Sequence, residues 1–133
     1  MSITIKRSVD IEDAVRSALS SYMTAYCDPL PKTYTLPFVR VTGAGGSSKD
    51  TIDSFMVALE GYAENEADAC EITRNAVGVL KYVTATDPVI RYVTENTHAQ
   101  LFDDPLRPDL ARYRTTVIVV AHIEDATILV GGI

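Results

Sequence analysis

Apolar residues recur along the chain at two different periods, and the points where one period gives way to the other divide it into elements. Asp10 stands where a helix cap belongs, and Ile11, Val15, Ala18, Leu19, Tyr22 and Met23 follow at spacings of three and four. A first helix is expected over about 10–24. Asp28, Pro29 and Pro31 break it, because proline lacks the N–H a helix needs and restricts the residue before it. From Leu36 to Thr42 the pattern alternates around Val39 and Val41, a glycine-rich turn follows, and Ile52 to Ala63 alternates again, which predicts a β-hairpin. In its second strand Phe55, Val57 and Leu59 share one face, while Ser54, Met56, Ala58, Glu60 and Tyr62 share the other, so both faces have apolar members to cover.

Asn65 is placed to cap a second helix over 66–82, with Glu66 and Asp68 putting negative charge on its first turn and Ala69, Cys70, Ala76, Val77 and Leu80 forming the buried stripe. Gly78 weakens that helix by about 1 kcal/mol relative to alanine. Ile90, Tyr92 and Thr94 then alternate in a strand that fades into the polar run from Glu95 to Gln100. After the loop from Leu101 to Ala111, residues Arg112 to Ile123 are dense in β-branched side chains and predict the central strand. The tail from Ala126 is apolar enough for a short final strand or for a segment docked on a neighbouring subunit. The order α-β-β-α-β-β, with hairpin-length connections, favours an α+β fold in which an antiparallel or mixed β-sheet packs with two helices. Residues 1–133 read as a single domain, with 124–133 as a C-terminal extension.

Composition narrows the function. With 47% hydrophobic and 23% charged residues the chain is too apolar for disorder. Its net charge of −6 gives it no overall attraction to nucleic acid or anionic membrane. The acids Asp10, Glu12 and Asp13 arrive before a signal peptide could build its apolar core, and the longest strongly apolar run, Val117 to Ala121, is far short of a membrane span. A soluble protein made in the cytoplasm is expected. Cys27 and Cys70 lack zinc spacing and read as reduced, buried thiols.

Motifs for chemistry fail on particular residues. A phosphate-binding loop at Gly43 to Asp50 would need glycine at Ser48, Ser or Thr at Asp50 and a helix next, where a strand is predicted instead. His98 and His122 are the only histidines. Asp103, Asp104 and Asp109 near them belong to loop-forming Asp-Pro and Pro-Asp pairs, so neither a metal nor a cofactor is expected. No GxSxG elbow is present, and no catalytic residue is assigned.

Charge placement is more informative. Seven acids and no Lys or Arg lie between Asp50 and Glu71, while Arg107, Arg112 and Arg114 gather around the start of the last long strand. Two solvated faces would explain this, and so would a head-to-tail interface between identical chains. On the second reading Arg112, Tyr113 and Arg114 meet Asp50, Asp53, Glu60 and Glu64 of the next copy, Arg112 and Arg114 sharing one strand face. The loop carrying Gly43, Gly45, Gly46 and Lys49 is then a mobile partner-contact loop.

Three stretches give the chain a resemblance to a known family. They are Leu36-Pro37-Phe38-Val39-Arg40-Val41-Thr42 with its glycine turn; the strand Phe55 to Tyr62 running into the helix Glu66 to Leu80; and Leu101-Phe102-Asp103-Asp104-Pro105 followed by Ala111-Arg112-Tyr113-Arg114. In these the sequence resembles the tail-terminator proteins of long-tailed bacteriophages and phage tail-like particles, over roughly residues 9–123. The resemblance implies a virion subunit with no enzymatic role that forms a hexameric ring. Such a ring caps the head-proximal end of the tail tube, ends tube polymerisation and joins it to neck and head-completion proteins. A chain of this size has a radius of gyration of roughly 14 Å, so six touching globules leave a hole about one globule wide for DNA. An acidic lumen would let the phosphate backbone slide without specific binding. A head-closure or minor tail protein is the alternative within the same context, and a small dimeric enzyme or ligand-binding domain the alternative outside it.

Overall fold

The computed structural model describes residues 1–49 and 51–131. In chain order its elements are β1 (Ser2–Arg7), α1 (Ile11–Ser20), β2 (Ala25–Cys27), β3 (Phe38–Lys49), β4 (Ile52–Ala63), α2 (Glu66–Val83), β5 (Ile90–Leu101), β6 (Ala111–His122) and β7 (Glu124–Leu129). The fold is α+β. Five strands form one sheet in the order β2-β3-β4-β6-β5, and β1 and β7 form a separate two-stranded ribbon. The large sheet is mixed, since β2 runs parallel to β3 while the remaining neighbours are antiparallel.

Both helices lie on one face of the large sheet. The odd-numbered positions of β3, β4 and β6, among them Val39, Val41, Val57, Leu59, Val117 and Val119, pack there against Val15 and Leu19 of α1 and Ala76 and Leu80 of α2. Asp10 accepts from the Asp13 N–H and Asn65 from the Asp68 N–H, so each helix has the cap its sequence supplies. Close approach of α2 to β4 depends on Gly61, where a Cβ would meet the Thr73 hydroxyl and sit 2.8 Å from the Ala69 carbonyl oxygen.

Several sequence expectations change. α1 stops at Ser20 rather than near residue 24, because the chain turns at Leu19, whose carbonyl accepts from Tyr22 and Met23, and then enters β2. The middle of the sheet is β4, and β6 lies beside it with β5 on its outer side. Since β4 and β5 are both antiparallel to β6, they run parallel to each other, and α2 is the crossover that joins them around β6. The hairpin connections expected throughout are therefore confined to the other junctions. Polarity hid the far half of β5. Its residues Thr97 and Gln100 pair with Thr116 and Arg114 through two of the strand's three register shifts, and the Thr97 carbonyl accepts from the Thr115 hydroxyl.

The residues expected to form a mobile loop also belong to the sheet. Gly43, Gly46 and Lys49 are ladder residues of β3, paired with Val57, Phe55 and Ile52, and Gly45 sits in the bulge between them. Gly45 has φ +108°, a conformation that favours glycine, and the Gly43 N–H donates to the Glu12 carboxylate at 2.7 Å. The tail is a strand, but its partner is β1 of the same chain, a strand absent from the expected order although Ile3 and Ile5 alternate with polar residues there.

Candidate functional site

At the end of the sheet face turned away from the helices, three guanidinium groups and three carboxylates assemble around one tyrosine. Phe38 and Arg40 on β3, Glu60 and Tyr62 on β4, and Arg112 and Arg114 on β6 share that face through the register Phe38↔Tyr62↔Arg112 and Arg40↔Glu60↔Arg114. The segment 28–37 and the loop 102–110 supply the rest, bringing Asp28, Asp104 and Arg107 over the strands.

Arg112 is the hub. The residue is 8% exposed, and every guanidinium nitrogen has a partner. Nε donates to the Phe102 carbonyl at 2.6 Å, Nη2 to the Asp103 carbonyl at 3.0 Å, and Nη1 to the Tyr62 hydroxyl at 3.2 Å, while Glu60 stands 3.1 Å from Nη1. Asp104 closes the ring of contacts: one oxygen accepts from the Tyr62 hydroxyl at 2.8 Å and from Arg107, and the other from the Leu106 N–H. Arg40 lies between Asp28, at 2.8 Å, and Glu60, at 3.9 Å.

Stacking fixes the rings. Tyr62 and Phe38 are parallel at 4.8 Å, Tyr26 and Tyr34 pack on Phe38, and the Arg112 guanidinium lies 4.8 Å over Phe102.

These neighbours set the ionisation of the cluster. Burial works against the Asp104 carboxylate, but the Tyr62 hydroxyl, the Leu106 N–H and the two arginines outweigh it and hold its pKa below the usual carboxylate range. Burial and the Asp104 contact push the Tyr62 phenol up, and the Asp28 contact holds Arg40 firmly protonated. A cleft of about 560 Å³ borders the cluster between Asp28, Leu30, Arg40, Leu106 and Arg107. The polar groups on its wall are already bonded to one another, as expected of a joint that fixes a loop.

What that joint presents is apolar. The loop 102–110 carries Leu106, 84% exposed, and Phe102, with Leu101 beside them at the end of β5. The Arg112 and Asp104 bonds to its backbone hold these side chains in place on the surface.

This geometry revises the expected charged interface. Arg112 is inside the chain, and Glu60, at 5% exposed, is its own partner within the subunit. Asp53 is buried too, on the helix side of β4, with its pKa lowered by the hydroxyls of Ser48 and Ser8. Asp50 lies outside the described residues. Tyr113 is half-buried on the helix side, its carbonyl facing Thr73 of α2. Two of the expected residues remain available at the surface: Glu64 is exposed, and Arg114 is half-buried with its guanidinium 5.6 Å over Phe102. Gly43, Gly45, Gly46 and Lys49 are exposed, but as strand rather than loop.

Glu60 was the signal for the cluster. Glu60 is an acid among the apolar residues Val57 to Ala63, with both strand faces needing cover, so its carboxylate calls for a donor from elsewhere, and Arg112 follows a loop rich in Asp. Of the remaining candidates, His98 is fully at the surface beside Glu95, at 3.2 Å, and both cysteines are free and half-buried. Among the described residues no group of His, Cys, Asp and Glu is arranged to hold a metal, and no helix is long and apolar enough to cross a membrane. No protein-family model matches the chain, and no curated protein matches it.

Proposed function

We propose that this chain is a structural virion subunit, a tail terminator that forms a hexameric ring at the head-proximal end of a phage tail tube. The observation that carries this reading is the convergence of the three stretches behind the family resemblance. Phe38 and Arg40 come from the first, Glu60 and Tyr62 from the second, Asp104 and Arg112 from the third, and all six are in one packed cluster. That three stretches distant in sequence build one joint supports reading them together, as the framework of one fold.

The surfaces support the same reading. Leu106 and Phe102 stand at one end of the sheet on a backbone locked by the cluster, as a contact surface for the tube or for a neck protein requires. Glu64, Glu66 and Glu71 are exposed beside and along α2, and acids of this kind lining the lumen would let DNA pass without sticking.

The test is a tube-growth assay. The tail-tube protein of the same source is polymerised with and without this chain, and tube length is read by electron microscopy. Capping predicts short tubes with a ring at one end. Tubes of unchanged length with bare ends would refute the proposal.

A further inference from the structure

The two-stranded ribbon of β1 and β7 is the part of the molecule least explained by the chain alone. Its strands pair over six successive positions, Ser2↔Leu129 to Arg7↔Glu124, with no bulge, and among the described residues neither strand pairs with anything else. A ribbon of two strands is marginal in water unless a third strand or a packed layer completes it. The large sheet protects its own edges, since β2 has three residues and β5 carries three register shifts. The ribbon leaves both edges open.

Its two faces differ. Ile3, Ile5, Ala126 and Ile128 form most of one, with Ile3 43% and Ile128 39% exposed and the Arg7–Glu124 pair at its end, while Ser2 with Leu129, Thr4 with Thr127 and Lys6 with Asp125 form the other. Lys6 pairs with Asp125 at 2.6 Å and Arg7 with Glu124 at 2.9 Å, so its charged side chains cancel. On a chain of net charge −6, a neutral, half-apolar projection is the surface by which like-charged copies can meet.

A receiving surface exists on the same chain. Beyond the arginine cluster, the sheet face opposite the helices continues as Met56 on β4, Thr116, Ile118 and Val120 on β6, and Tyr92 and Thr94 on β5, in register with one another. None of these is charged, none belongs to the helix-side core, and all are half-buried or exposed. Strands lie about 4.8 Å apart and rise about 3.3 Å per residue, so a ribbon of two six-residue strands, roughly 20 Å long and about 10 Å wide, spans the length of this strip and covers two of its three strands.

We infer that the ribbon is an arm which each subunit lays, apolar face down, across this uncharged strip of the next copy of the chain. The inference rests on the ring reading above, and it gives that ring its contact. Donor and acceptor surfaces differ, so every copy gives one arm and receives one, which is the arrangement that closes a ring.

Complementation tests it. Ile3→Glu with Ile128→Glu spoils the arm, and Tyr92→Glu with Thr94→Glu spoils the strip, all at positions outside the helix-side core. Light scattering should find the wild-type chain as a multi-copy particle and each double variant at the mass of one chain. An equimolar mixture of the two should form pairs, because one intact arm still meets one intact strip. An arm variant that assembles like wild type, or a mixture that stays at one-chain mass, would overturn the arm while leaving the ring standing. A wild-type chain that is itself monomeric would remove the ring and the arm together. Should circular dichroism find either double variant unfolded, Ile128→Cys with Thr94→Cys in a Cys27→Ser, Cys70→Ser chain gives the answer. A ladder of chain multiples on a non-reducing gel is expected, and a single one-chain band under oxidation refutes the contact.

Discussion

Two arginines two residues apart on one strand do different work, and burial decides which does what. Removing the Arg112 side chain takes the 3.1 Å partner from the buried Glu60 and releases the Phe102 and Asp103 carbonyls. Arg112→Ala should therefore cost about 3 kcal/mol of stability in urea unfolding. Arg114→Gln, at a half-buried position with no carboxylate within ion-pair distance among the described residues, should stay within about 0.5 kcal/mol of wild type. Equal losses in the two variants would contradict the assigned burial. The pH response of Asp104 has a definite sign. Its folded pKa is lowered, so its contribution is complete above the ordinary carboxylate value of about 3.9 and fades as pH falls through the folded value. The urea midpoint of Asp104→Asn should thus lie below wild type at pH 7, and the gap should narrow below about pH 4. A gap as wide at pH 3 as at pH 7 would mean that the charge of Asp104 contributes nothing.

Helix and strand content followed from periodicity wherever one side chain set faced the core. β4 occupies the residues its alternation marks, and α2 begins at the residue its cap predicts, because hydrophobic spacing and capping agree there. Legibility failed where backbone pairing, not side-chain burial, makes the strand. The Gly43–Lys49 part of β3 and the Glu95–Leu101 part of β5 are exposed and carry no alternating signal, while Ile3 and Ile5 of β1 do alternate with polar residues but over too short a run, with a single half-buried residue, to mark a strand. The buried site was half legible for a related reason. Glu60 and Arg112 were visible as charges, but their pairing across β4 and β6 depends on a register that no local pattern encodes. Two glycines separate packing from propensity at this scale. Gly61→Ala should destabilise by about 2 kcal/mol, because its Cβ enters α2 at Thr73 and Ala69. Gly78→Ala, with open space around it on the exposed side of the same helix, should stabilise by about 0.5–1 kcal/mol. Thermal melts of the two variants should move in opposite directions, and a shared direction would contradict this contact of α2 with β4.

The whole chain combines a rigid body with surfaces that a monomer leaves unfinished. Its core is two helices on one face of a five-stranded sheet, closed at one end by the arginine cluster. Outside that body stand the terminal ribbon, the uncharged strip and the fixed Leu106 and Phe102 side chains. On the proposed reading these non-identical patches meet head to tail between copies, a contact that closes a ring when its rotation closes. Arg114 and the acids Glu64 and Glu66 are left to tune that contact, each exposed pair contributing about 0 to 1 kcal/mol. Salt should weaken such an assembly only modestly, since apolar burial supplies most of the association. The most direct test is the absolute mass of the purified chain by multi-angle light scattering, with electron microscopy of the same fraction. The account predicts six times the chain mass and open rings in projection. A particle at the mass of one chain across the concentration range, with no ring in the images, would contradict it.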